Sequence, residues 1–128
     1  MFKVKAIENK DEQKRMCELC CAEYKEDSFA YAAYDVKTAD DESGEAIAVC
    51  QFTFIGGCAI HCLTPAEGRE DDEAVLILGF AVLEFLRRCG FKEVTANMQD
   101  SYAVRLGFRN TDGKHILDLT AGRACGGH

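Results

Sequence analysis

The chain has 128 residues, 48% of them hydrophobic and 29% charged, with a formal net charge of −7. That balance is globular rather than disordered, and the length suits one domain, residues 1–128, with a real core. The acidity (pI ≈ 4.9) argues against nucleic acid and anionic membranes as partners, because both select cationic surfaces, and it suits a neutral or cationic partner.

Phe2 to Ile7 alternates apolar and charged residues, which predicts a strand with Phe2, Val4 and Ala6 on one face. Such a start is unlike an export signal, so a cytoplasmic location is expected. Asn9 or Asp11 is placed to cap a helix reaching about Tyr24, with Met16, Leu19 and Cys20 at helical spacing. Phe29 to Val36 reads as a second strand, Asp40 to Glu45 as a hairpin loop, and Ala46 to Ile55 as a third, strongly β-prone strand. Gly56-Gly57 then turns the chain into a fourth strand, Cys58 to Thr64.

The next helix, Asp72 to Arg88, is so apolar from Ala74 to Leu83 that burial on more than one side is expected. Gly90 stops it, after Arg87 and Arg88 have complemented the dipole. Its apolar run is too short for a membrane span. Glu93 to Met98 is a fifth strand, and Ser101 to Leu106 a short helix with Ser101 as its cap. Phe108 to Asn110 and His115 to Thr120 form a hairpin around Asp112-Gly113, and the Gly-rich tail 121–128 is expected to fray. The order β-α-β-β-β-α-β-α-β-β predicts an α+β fold, a mixed sheet flanked by helices.

Eight cysteines stand in helical and strand patterns, and in a cytoplasmic protein they read as reduced, packed thiols. Cys17-x-x-Cys20 has ligand spacing, and Cys58, His61 and Cys62, or Cys125 and His128, offer partners for it. The first pair sits on a helix and the second group within a strand, so no metal site is expected. There is no P-loop, dinucleotide fingerprint or Gly-x-Ser-x-Gly elbow.

Most of the functional signal lies in Ala66 to Glu73, which joins an apolar strand to the apolar helix. Helix-start N–H groups are unpaired and the dipole is positive there, so the junction is a natural anion site. Gly68 and Arg69 suit that use, whereas the four carboxylates Glu70 to Glu73 oppose it.

Three segments together resemble the GNAT superfamily of N-acetyltransferases. Leu63-Thr64-Pro65 is similar to the strand end that leads into the family's cofactor loop. Leu86-Arg87-Arg88-Cys89-Gly90-Phe91 followed by Glu93-Val94 is similar to its central helix and next strand. Ser101 to Phe108 resembles its closing Tyr-x-x-Leu-Gly-Phe signature. The resemblance implies a mostly antiparallel sheet of six to seven strands, acetyl-CoA as cofactor, a small-molecule or peptide amine as acceptor, and a homodimer as one possible assembly. By the same resemblance, strand N–H groups near Cys62 and Leu63 polarise the thioester, and Gly68, Arg69, Asp72 and Ala74 fall in the pyrophosphate loop.

His61 is the candidate base, since amine acylation needs a group titrating near neutrality. Alternation places it with Ala59 and Leu63 on one face, and Cys58, Ile60 and Cys62 on the other. Tyr102 is the candidate acid, one residue before the family's position, which Ala103 fills here. Tyr31 and Tyr34 have opposite parity, one for the acceptor groove and one for the core. Carboxylates stand where the family's backbone approaches phosphate, whichever way the loop is aligned. Two function classes are therefore expected: an acetyl-CoA-dependent N-acetyltransferase with a degenerate loop, or a non-catalytic GNAT-like protein that holds a protein or another ligand in the same cleft.

Overall fold

Every residue from Ile47 to Phe52 is buried, because the strand that carries them, Glu45–Thr53, has a helix on each of its faces. A computed structural model describes residues 2–38, 40, 44–69 and 71–120. In chain order the elements are β1 (Phe2–Ile7), α1 (Lys10–Leu19), β2 (Phe29–Asp35), β3 (Glu45–Thr53), β4 (Ala59–Pro65), α2 (Asp72–Arg88), β5 (Glu93–Ala96), α3 (Asp100–Leu106), β6 (Arg109–Thr111) and β7 (Lys114–Asp118). The order is the one the sequence predicts. Three expectations concern residues outside those described: the tail 121–128 with Cys125 and His128, the hairpin tip at 41–43, and Glu70 of the acidic loop.

The strands form one seven-stranded sheet in the order β1-β2-β3-β4-β5-β7-β6, antiparallel except for β4 beside β5. A parallel neighbour requires a crossover, and α2 supplies it. The β4–β5 pairing is short, Ala59↔Thr95 and Ile60↔Ala96, with Asn97 N–H donating to the Ile60 carbonyl at 2.9 Å. β5 ends there while β4 runs on to Pro65, so the two strands part company at their carboxyl ends. A crevice at such a point is where open sheets with parallel strands hold ligands.

The larger core lies between the sheet and α2 with α3, and includes Ile47, Phe52, Ile60, Leu63, Leu78, Leu86 and Leu106. A smaller one, Met16, Cys20, Ala32, Val49 and Ala66, lies under α1. α2 buries a broad stripe of Ala74, Val75, Leu78, Gly79, Val82, Leu83 and Leu86, while Ile77 and Phe80 remain exposed. The expected burial on several sides is thus corrected to one face, because nothing among the described residues covers the outer side.

Local signals set most boundaries. Asn9 caps α1 by accepting from Glu12 N–H at 2.7 Å. That helix stops at Leu19 rather than near Tyr24, because Cys21 takes a left-handed φ of 54° and Ala22 N–H turns back to the Cys17 carbonyl at 2.8 Å. Gly90 ends α2 with φ 93°, and Phe91 N–H donates to the Leu86 carbonyl at 3.2 Å, the Schellman pattern. Gly107 ends α3 in the same way. α3 begins one residue before the expected cap, so Ser101 lies inside it and Gln99 precedes it without a side-chain bond. Asp112 and Gly113 both have positive φ, the tight hairpin turn that Asp-Gly favours.

Gly79 fixes how closely α2 approaches β4 and α3. A Cβ there would come within 2.9 Å of Leu106 Cδ1 and 3.1 Å of Leu63 Cδ2. Gly79→Val should therefore lower stability by about 1–3 kcal/mol through overpacking, read as an earlier urea midpoint at unchanged m-value.

Candidate functional site

β3 and β4 slip register between Gln51 and Phe52: Gln51 faces Cys62, whereas Phe52 faces Ile60. His61 is the extra residue, so β4 carries a bulge where it leaves β5. A bulge places two successive side chains on one side of the sheet. His61 and Cys62 both face the α1 side, where Thr53 and Gln51 meet them, while Ile60 and Leu63 both enter the larger core. The alternation expected of β4 is corrected accordingly: Leu63 shares a face with Ile60, not with His61.

His61 Nε2 lies 2.9 Å from Thr53 Oγ1. Its pKa is held below the usual histidine value, first by partial burial and then by the charge of Lys25, so the imidazole is neutral at pH 7. It lines a hollow of about 460 Å³ with Lys25 to Phe29 and Thr53 to Ile55. This hollow bends around the end of the sheet, with His61 and Thr53 on the α1 side and the Phe29 and Phe54 rings packed toward the α2 side.

A buried polar network, absent from the sequence reading, holds the wall of that hollow. Gln51 Oε1 accepts from Gln13 Nε2 at 2.8 Å and from Lys25 N–H at 2.9 Å, while Gln51 Nε2 donates to the Glu23 carbonyl at 2.7 Å. Gln51 Nε2 also reaches Cys62 Sγ at 3.2 Å, and Ser28 Oγ donates to the Lys25 carbonyl at 2.7 Å. Gln13, Ser28 and Gln51 are all buried. Their signal was a Gln in the middle of an apolar strand and another on the apolar stripe of α1, two costs that vanish only when each satisfies the other.

Four N–H groups between Ala66 and Asp71 have partners within the protein. Ala66 N–H donates to the Ile47 carbonyl (2.8 Å), Glu67 to Leu19 (3.0 Å), Arg69 to Ala66 (2.9 Å) and Asp71 to Arg69 (2.7 Å). At the start of α2, the Asp71 carboxylate caps Ala74 N–H at 3.1 Å, and Val75 N–H donates to the Asp71 carbonyl at 3.1 Å. Arg69 reaches away to Glu45 at 2.6 Å and Asp35 at 3.2 Å. Asp72 accepts from the Tyr102 hydroxyl at 3.0 Å and lies 3.8 Å from Arg105. Gly68 turns the loop with φ 80°. Of the donors a pyrophosphate would need, the Arg69, Asp71 and Ala74 N–H groups and the Arg69 guanidinium are engaged by the chain itself.

The expected site residues fall into two groups. His61, Cys62 and Leu63 cluster at the bulge. Gly68, Arg69, Asp72 and Ala74 lie at the loop and helix start, with Tyr102 joined to them through Asp72. Neither the hollow at His61 nor a second concavity of about 790 Å³ around Asp35 to Thr38, Asp40, Gly44 and Glu45 is lined by Gly68, Arg69, Asp72 or Ala74. Tyr31 packs on Phe52 and Phe85 in the larger core, and Tyr34 packs beside the smaller one, so neither lines the His61 hollow.

Seven cysteines among the described residues are free. Cys17, Cys20, Cys50 and Cys58 are buried and Cys62 partly so, but Cys21 and Cys89 are exposed, which corrects the expectation of packing for those two. Burial pushes the Cys17 thiol up to about 11 and Cys20 to about 12, with the nearby Cys62 adding to both. Such thiols stay protonated at neutral pH and are poor nucleophiles. Among the described residues no group of three His, Cys, Asp or Glu is arranged to hold a metal, and no helix is long and apolar enough to cross a membrane.

Among solved structures, an N-acetyltransferase from Staphylococcus aureus Mu50 matches with a TM-score of 0.66, covering 94% of this chain and 99% of its own at 13% identity. The chain has a GNAT-like fold. A bacterial toxin matches with a TM-score of 0.54 at 15% identity, covering 100% of this chain and 97% of the other. No family model and no curated protein matches the sequence. At these identities the likeness is one of architecture, and activity has to be argued from the site.

Two outcomes check this arrangement. The His61 ring should titrate by NMR below the ordinary value near 6.5. Because its folded pKa is depressed, the associated stability is present above the unfolded pKa and is lost as pH falls through the folded one, and His61→Gln should remove that acid-side loss. Separately, Gln51→Leu strands the Lys25 N–H and the Glu23 carbonyl, costing about 2 kcal/mol or more and speeding amide exchange at Lys25 before the rest of the sheet.

Proposed function

We propose that this chain is an N-acyltransferase that takes an amine in the His61 hollow and an acetyl thioester, with acetyl-CoA as the natural donor, in the crevice where β4 parts from β5. The observation that carries the reading is the bulge, which sets a neutral imidazole beside a ligand-sized hollow, at the residue where β4 leaves β5. His61 would accept a proton from the incoming ammonium, directly or through water, so that nitrogen attacks the thioester carbon. Backbone N–H groups near Cys62 and Leu63 would stabilise the oxyanion, and the C–S bond would break with a thiolate leaving. Tyr102, its hydroxyl now on Asp72, is the candidate donor of the proton that thiolate takes up.

The loop chemistry sets a condition on the donor. With Arg69 tied to Glu45 and Asp35 and Asp71 capping α2, the nucleotide end of CoA gains little from the protein, so the acyl-pantetheine end must supply most of the binding. A second reading, in which the hollow binds a ligand and no acyl group moves, is favoured by the same engaged donors. The two separate in one assay of the reduced protein with acetyl-CoA and acetyl-pantetheine as donors. The first reading expects transfer with kcat/KM for the two donors within about tenfold, a gap of about 1.4 kcal/mol. Replacing Asp71 and Asp72 together by Gly should then tighten acetyl-CoA selectively. Absence of heat with either donor at millimolar concentration would exclude the transferase reading and leave ligand binding.

A further inference from the structure

We propose that the His61 hollow is built for a primary amine carrying an aromatic or bulky apolar group, held as its ammonium ion. The inference deepens the acceptor reading of this same site, but the binding it describes requires no donor.

Three features of the hollow converge on that ligand. Its volume of about 460 Å³ lies in the range of small-molecule sites. Its mouth is unusually apolar: Ile55 is 83% exposed and Phe29 46% exposed, so two large hydrophobic side chains face water at one concavity. Phe29 stacks on Phe54 at 4.8 Å, and Phe54 is backed by Phe85 and Phe91, each at 5.9 Å, so the ledge is rigid. A rigid ring edge and face accept another ring at about 0.5–1.5 kcal/mol beyond simple area burial.

The charge pattern selects the other end of the ligand. Glu26 and Asp27 line the hollow as exposed carboxylates and outnumber the one cation in its lining, Lys25, whose charge reaches His61 but is paired with Glu23 at 3.2 Å. Within the hollow, the Thr53 hydroxyl oxygen, 2.9 Å from His61 Nε2, keeps a lone pair for an N–H donor whichever ring nitrogen carries the proton. An ammonium group at His61 with its body laid on Phe29 and Ile55 satisfies both ends. A simple alkyl amine meets only one, and an arylalkyl acid meets the carboxylates with the wrong sign.

The test is an NMR titration of isotope-labelled protein without any acyl donor, using 2-phenylethylamine, n-butylamine, 2-phenylethanol and phenylacetate. Shifts should be confined to Lys25–Phe29, Thr53–Ile55 and His61, and 2-phenylethylamine should bind at least about fivefold tighter than each of the other three. Ile55→Ser, at a side chain too exposed to endanger folding, and Phe29→Leu, which keeps apolar volume but removes the ring, should each weaken it. Equal affinity for n-butylamine, stronger binding of phenylacetate, shifts elsewhere, or no shifts at all would overturn the proposal. Binding with no acyl transfer would leave the proposal standing and end the transferase reading. Transfer to amines without aromatic preference would do the reverse.

Discussion

The extra residue in β4 is the constraint on which the arrangement around the hollow depends. Had β3 and β4 paired without a slip, His61 and Cys62 would point to opposite faces, and one of them would enter the apolar core. The bulge instead sends both toward α1 and lets Ile60 and Leu63 share the larger core. Gln51 stands opposite the slip, bonds Cys62, and holds the chain from Glu23 to Lys25 by two backbone bonds. The wall of the hollow, the depressed pKa of His61 and the position of Lys25 are consequences of that one irregularity. Bulges beside functional sites re-aim side chains in this way.

The second determinant is the short parallel pairing of β4 with β5. It leaves the carboxyl half of β4 without a β5 neighbour and opens the sheet where its strand direction changes. The acyl-transfer reading needs that opening for its donor, whereas plain ligand binding needs only the His61 hollow. The start of α2 bears on the choice. There Asp71 supplies internally the negative charge that a bound phosphate supplies elsewhere, and Asp72 uses its carboxylate to hold α3 through Tyr102. A helix N-terminus has a few unpaired donors, and here the chain has engaged several of them itself.

Much of the fold was legible in the sequence because its signals are local. Element order, both bounds of α2 and the Asp112-Gly113 turn follow from periodicity, capping and turn chemistry, while the structure chose Asn9 over Asp11 as the α1 cap. Where the reading erred, a long-range contact had overridden a local one. α1 ends early because Cys21 reverses the chain, and Glu67 N–H then bonds the Leu19 carbonyl. α2 was expected to be buried on more than one side, yet apolarity alone does not say how many neighbours a helix will have.

The sequence by itself determined the α+β order and the excess of carboxylates at the α2 start, since each is written in neighbouring residues. Tertiary structure alone decided which way each side chain points and what it meets. Parity on β4 reversed at a bulge that exists only in its pairing with β3. Two glutamines 38 residues apart in the chain became one buried pair. Arg69, which belongs to the loop by sequence, was drawn to carboxylates of β2 and β3. Such outcomes depend on distances between segments remote in the chain, which short-range periodicity does not encode.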